Sequence, residues 1–154
     1  MTDHGISGLL AIMAQLRRDC PWDQAQTPRT LTRYAIEEAY EVEAAVRSGD
    51  PSAVCDELGD LLLQVVFQAQ MYQEQGAFNF ADVVAGLQAK LIRRHPHVFG
   101  EQTAEDAQQV TQVWEAIKQT ERNGQRRRLD QIKAGSGLMQ AQDLQKQAPK
   151  AGLD

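Results

Sequence analysis

A chain of 154 residues, 42% hydrophobic and 24% charged, is long enough for one domain with a substantial core. Its 21 acids outnumber its 16 bases for a net charge of −5, which argues against the basic face that stable nucleic-acid binding needs and leaves room for a small anion held by local cations. Cys20 and Cys55 make no CxxC pattern, no signal-peptide pattern opens the chain, and the longest apolar run (Leu61–Leu63, resumed at Val65–Phe67) is far short of the roughly 20 residues of a membrane span, so a soluble cytoplasmic protein is expected.

Leu9, Ile12, Met13 and Leu16 recur at helical spacing and predict a first helix over Ile6–Arg18. Cys20-Pro21-Trp22-Asp23 breaks it, because proline disfavours helix in the residue before it. Trp22 in that break serves either as a hydrophobic plug over the bundle end or as an aromatic surface for a ligand's base. Thr27-Pro28 is an N-cap followed by proline at the first helical position, and the helix it opens runs to about Arg47, with Gly49 as its left-handed stop. Asp50-Pro51 repeats the start signal, and the next helix runs to about Gln75. It is apolar nearly all round after Asp60, the pattern of a buried central helix. Asn79 caps a third long helix to about Arg94, with Val83, Val84, Leu87 and Leu91 as its stripe. His95 to Gly100 reads as a loop. Thr103 with Asp106 resembles a capping box for a fourth long helix to about Arg122, with Val110, Val113, Trp114 and Ile117 on one side. The expected architecture is all-α, like a four-helix bundle, over residues 1–124, with 125–154 a flexible tail.

Two carboxylate pairs stand out, Glu38 with Glu41 and Glu57 with Asp60, each spaced i, i+3 on consecutive helices. At about 100° per residue, Glu38 falls on the side of Leu31, Ala35, Val42 and Ala45, inside the apolar stripe, while Glu37 and Glu43 project elsewhere. Glu57 and Asp60 share a side with Gln64. Such acids could pair with Lys or Arg across a bundle surface, but no base occurs between Arg47 and Lys90. Buried, mutually repelling carboxylates call for a cation, and an all-oxygen site suits Mg²⁺ or Mn²⁺. Di-iron chemistry is disfavoured, since none of His4, His95 and His97 lies three residues after a glutamate. Lys90, Arg93 and Arg94 close the third long helix, where cations suit the dipole; Lys90 and Arg94 share a face and would also suit a polyphosphate.

At these residues the sequence resembles the MazG family of nucleoside triphosphate pyrophosphohydrolases, whose signature is EExxE followed by ExxD: here Glu37-Glu38-Ala39-Tyr40-Glu41 and Glu57-Leu58-Gly59-Asp60. Cys20-Pro21-Trp22-Asp23, the run from Gly59 to Phe67, the run from Lys90 to Gly100 and Trp114-Glu115-x-x-Lys118 match in order, so the likeness covers about Leu9 to Arg122. The resemblance implies Mg²⁺ ligation by Glu38, Glu41, Glu57 and Asp60, phosphate contacts from Lys90 and Arg94 (with Arg93 beside them), and a nucleotide contact from Trp114. It implies a homodimer or higher homo-oligomer, and hydrolysis of nucleoside triphosphates to monophosphate and pyrophosphate by water attack between the α- and β-phosphates. Glu37, or one of the ligands, is the candidate to orient or deprotonate that water. Many members carry two such domains, and Leu138 to Ala148 resembles the lead-in to a second, so the expectation is either a single-domain form or a truncated one in which 125–154 resembles a linker to an absent second domain. Two other functions fit the same features: cleavage of phosphoribosyl-ATP, and a helical module that binds nucleotide without hydrolysing it.

Overall fold

The computed structural model describes residues 4–101, 103–104 and 106–121, with isolated positions 137, 140–141, 144–145 and 148. The expected tail over 125–154 lies outside the described residues but for those positions. All regular structure among the described residues is helical: α1 (Ile6–Asp19), α2 (Pro21–Ala25), α3 (Pro28–Ser48), α4 (Pro51–Glu74), α5 (Phe80–Arg94), α6 (Pro96–Phe99) and α7 (Ala107–Glu121). The chain divides into two compact units, 1–89 and 90–154, with the boundary inside α5.

In the first unit the helix bounds follow from side-chain chemistry. The Thr27 hydroxyl accepts from the Thr30 amide while the Thr30 hydroxyl accepts from the Thr27 amide, a reciprocal cap ahead of Pro28. Gly49 ends α3 at φ 74°, and the Asp50 carboxylate then accepts from the Ser52 amide at 2.9 Å to open α4. Two residues therefore reverse the chain, and α3 and α4 pack as an antiparallel hairpin. A Cβ at Gly49 would meet no atom within 4 Å, so its cost is conformational alone. Gly49→Ala is expected to lower stability by about 1 kcal/mol, read as a shifted urea midpoint with unchanged slope.

Met13 of α1, Leu31 of α3 and Val66, Phe67 and Met71 of α4 form the core, with Leu9, Leu10, Tyr34, Leu63 and Phe80 packed against it. Gln68 donates to the Pro28 carbonyl at 2.9 Å and ties α4 to the start of α3. The Arg17 guanidinium grips Glu74 through Nε (3.0 Å) and Nη2 (2.6 Å) and also donates to the Asp23 and Gln26 carbonyls, joining α1, the end of α2 and α4. This fork holds the Glu74 carboxyl below its ordinary range.

Several expectations change. The break at Cys20-Pro21-Trp22-Asp23 is confined to Cys20, since Pro21 already opens the short helix α2, and Pro96–Phe99 is a helical turn where a loop was expected. Both are single turns started by proline, too short to carry a periodic signal. Of the α1 stripe only Met13 is buried, while Ile12 is half exposed. Helix α4 is not enclosed: Leu58, Leu62 and Val65 are 50%, 40% and 41% exposed along one stripe. The α5 stripe Val83, Val84, Leu87 and Leu91 is also exposed. No helix among the described residues is long and apolar enough to cross a membrane.

In the second unit, α7 begins at Ala107 with Asp106, not Thr103, as its cap: the Asp106 carboxylate accepts from the Gln109 amide at 2.8 Å. Asp106 lies immediately before the first helical residue, where an acid also meets the positive end of the dipole.

Candidate metal centre on a helical hairpin

Glu41 lies eight residues before Gly49 and Glu57 eight after it; Glu38 and Asp60 lie eleven before and eleven after. In an antiparallel hairpin reversed at Gly49, equal separations mean equal heights along the two helices. The tight turn therefore brings the two acid pairs level. Carboxylate oxygens of Glu38, Glu41 and Glu57 lie within 4.8 Å of one another, Glu38 and Glu57 half-buried and Glu41 exposed.

Asp60 is exposed on α4 and is not one of that trio, but its charge acts on Glu38 and Glu57. Glu37 is exposed and outside the trio. An open depression on this part of α4 is lined by Asp50, Asp56, Gly59 and Asp60. Partial burial raises the Glu38 carboxyl above its ordinary pKa; a hydrogen bond with Glu41 and the charges of Glu41, Asp60 and Glu57 raise it further. Burial raises Glu57 as well, with the charges of Glu41, Asp60 and Asp56 adding to it. The hairpin thus gathers hard oxygen donors whose negative charge is unfavourable without a counter-ion, the donor set that suits Mg²⁺ or Mn²⁺.

The sign of these shifts yields a prediction. A carboxyl raised in the folded state binds its proton more tightly there than in the unfolded chain, so stability falls as pH rises through the folded pKa. In a chelator, stability contributed by this cluster should decline as pH rises from the ordinary carboxylate range toward neutrality, and Mg²⁺ should offset that decline. Thermal melts with and without Mg²⁺ at the two ends of the window check it; equal Mg²⁺-induced shifts at both ends would contradict it.

Trp22 is half exposed and meets Tyr34 edge to face, with ring centroids 6.3 Å apart. It therefore keeps much of its surface open rather than acting as a buried plug.

The remaining predicted site residues belong to the second unit. Lys90 is exposed. Arg93 and Arg94 are drawn together by Glu121, whose Oε1 accepts from Arg93 Nε at 2.6 Å and whose Oε2 accepts from Arg94 Nη2 at 2.6 Å and Nε at 3.2 Å. Hydrogen bonds from Arg94 and Arg93 lower the Glu121 carboxyl to a pKa of about 2. The Trp114 ring has the Lys118 ammonium 4.6 Å from its centroid and the His95 ring 5.9 Å away. His95 Nδ1 donates to the Leu91 carbonyl at 2.7 Å. His95 and His97 are both partly buried rather than free surface residues, and His97 Nδ1 is buried without a hydrogen-bond partner.

The sequence reading missed Glu121 and Arg17. Trp114, Lys118 and Glu121 recur at i, i+4 and i+7, a face that could have been marked. Nothing local connects Arg17 to Glu74, 57 residues away.

A helical hairpin with level carboxylates defines an all-α protein with a candidate divalent-cation site. Residues 26–99 match the MazG nucleotide pyrophosphohydrolase domain. The nucleoside triphosphate pyrophosphohydrolase of Escherichia coli K12 is 46% identical over 97% of this chain and 59% of its own length. The nucleoside triphosphate pyrophosphohydrolase/pyrophosphatase MazG of Thermotoga maritima is 41% identical over 95% of this chain and 57% of its own length. The crystal structure of a MazG-related protein from Thermotoga maritima superposes with a TM-score of 0.63, covering 74% of this chain and 99% of that one at 24% identity, a likeness of fold. Residues 26–99 of the chain thus form a MazG-family domain. The chain spans less than two thirds of the length of both curated relatives.

Proposed function

We propose that this chain hydrolyses nucleoside triphosphates to nucleoside monophosphates and pyrophosphate, with Glu38, Glu41, Glu57 and Asp60 holding a divalent cation, Mg²⁺ before Mn²⁺. The observation that supports it most is the convergence of Glu38, Glu41 and Glu57 within 4.8 Å on a hairpin whose local chemistry otherwise disfavours three charges. Relatives bearing the pyrophosphohydrolase name at 46% and 41% identity support the reaction type.

When bound, the cation supplies polarisation of a phosphoryl oxygen and a lowered pKa for the attacking water. The chain's part is to fix position and charge. Glu38 and Glu57, half-buried on facing helices, bring their carboxylates within 4.8 Å of each other and of Glu41. Glu41 and Asp60, exposed at the same heights, complete the acidic surface. Glu37, exposed next to Glu38, is the candidate to orient water or take its proton. Lys90 and Arg94, with Arg93, bind the phosphates and stabilise the leaving pyrophosphate. Trp114 and Trp22 are the candidate contacts for the base. The test is product analysis across a panel of common and modified nucleoside triphosphates, with and without Mg²⁺. Monophosphate plus pyrophosphate is expected; diphosphate plus orthophosphate would refute the bond assignment. Turnover confined to phosphoribosyl-ATP would favour that alternative, and binding without turnover the non-catalytic one.

We also propose that the chain works as a homodimer in the cytoplasm. The exposed stripe Leu58, Leu62 and Val65 on α4, with Ile36 and Tyr40 exposed on α3, offers an apolar face of the kind a second copy covers. Leu62→Asp is expected to shift the sedimenting species from dimer to monomer; a wild-type chain that sediments as a monomer would contradict the reading.

A further inference from the structure

Arg93 and Arg94 are consecutive on α5, so their side chains leave the helix about 100° apart, and their like charges favour separation. Yet both guanidinium groups meet on one carboxylate. Glu121, the last residue of α7, gives one oxygen to each arginine, with closest contacts of 2.6 Å on both sides. The edges used are telling. Arg94 faces Glu121 with its Nε–Nη2 edge, and Arg93 faces it through Nε. A guanidinium carries five N–H donors along two edges, so the Nη1–Nη2 edge of each arginine is the one not turned to Glu121. The arginine pair less one carboxylate keeps a net charge of +1.

We propose that Glu121 is a positioning residue for triphosphate binding: it holds Arg93 and Arg94 by their inner edges so that their outer edges together form one phosphate-binding fork. The inference rests on the reading that Arg94 contacts a phosphate. It gives a role to a carboxylate that simple electrostatics would place against anion binding. The lowered Glu121 pKa means that this carboxylate stays charged at every pH at which the enzyme would work.

That opposition supplies the test. Neutralising an acid beside an anion site makes the site more positive, so if Glu121 merely competes with phosphate, Glu121→Gln should bind nucleotide more tightly. If it positions the fork, the same variant should bind more weakly. The readout is the Kd of the Mg²⁺ complex of a non-hydrolysable α,β-methylene nucleoside triphosphate, measured by calorimetry on the full chain. Arg94→Ala is expected to weaken binding by about tenfold or more, the scale of a lost charge-assisted hydrogen bond. Glu121→Gln is expected to weaken it several-fold, and Glu121→Asp, which keeps the charge one methylene back, by less. In the Arg94→Ala background Glu121→Gln should add little, because the group through which it mainly acts is gone. Arg94→Lys, which keeps the charge but has no second edge to present, should resemble Arg94→Ala and tests the fork even if Glu121→Gln folds poorly.

Unchanged or tighter binding by Glu121→Gln overturns the positioning role, as does full additivity of the two losses. Unchanged binding by both Arg94→Ala and Arg94→Lys removes the phosphate role of Arg94 itself, and a wild-type chain that binds no nucleotide removes the underlying reading. The last two outcomes are distinguishable from failure of the Glu121 proposal alone.

Discussion

Glu38→Gln is expected to reduce pyrophosphate release by at least about a hundredfold, the consequence of removing one charged ligand that contributes several kcal/mol at the transition state. Glu38 lies on the side of α3 that also buries Leu31 and Ala45, so its carboxylate is half-buried and held against Glu41 and Glu57 rather than swinging in solvent. Glutamine keeps the shape and loses the charge. The fold should not suffer: burial, the hydrogen bond with Glu41 and three neighbouring acids already disfavour the ionised form, so the metal-free variant should melt at or above the wild-type temperature. Lost activity with undiminished stability separates a ligand from a structural residue. Glu43→Gln is the control, because Glu43 pairs with Arg47 at i, i+4 on an exposed face and should matter little to either readout. Near-normal turnover by Glu38→Gln would refute the ligand assignment.

Phe67→Ala is expected to cost about 3–5 kcal/mol of stability, a large fraction of what a domain of this size possesses. Phe67 is 3% exposed and packs with Met13, Leu31, Val66 and Met71, so it joins α1, α3 and α4 in one cluster. The Arg17 guanidinium also lies 5.8 Å from its ring centroid while gripping Glu74. Alanine would leave a cavity and deprive Arg17 of the surface it covers, loosening α1 as well as the core. Urea unfolding followed by far-ultraviolet circular dichroism measures the loss. A loss under about 1 kcal/mol would mean that the cluster collapses around the gap and that the three helices do not depend on this ring.

The parts of the fold legible in the sequence are those written in local chemistry. Thr27-Pro28, Gly49, Asp50-Pro51 and Asn79 mark helix ends because caps and left-handed glycines act within a few residues, and the observed bounds of α3, α4 and α5 fall within one residue of that reading. The gathering of Glu38, Glu41 and Glu57 was legible for the same reason, since a two-residue reversal at Gly49 fixes which turns face each other. Local chemistry says nothing about Arg17 and Glu74, which meet only after α1 has docked on α4. Nor does it separate an apolar position that faces the core from one that faces outward: Val66 is buried and Val65, the next residue, is 41% exposed. The Arg93–Arg94 pair read as a helix-end charge cluster, and only the placement of α7 revealed its counter-ion.

We propose that the hairpin acids hold a divalent cation for work on a nucleoside triphosphate. Binding of Mn²⁺ followed by electron paramagnetic resonance tests it most directly, because free and bound ion give distinct signals whether or not turnover occurs. Wild-type chain should take up Mn²⁺, more tightly with a non-hydrolysable nucleoside triphosphate present, and Glu38→Gln and Glu57→Gln should each lose most of that uptake. Equal Mn²⁺ binding by the wild type and both variants would contradict the account.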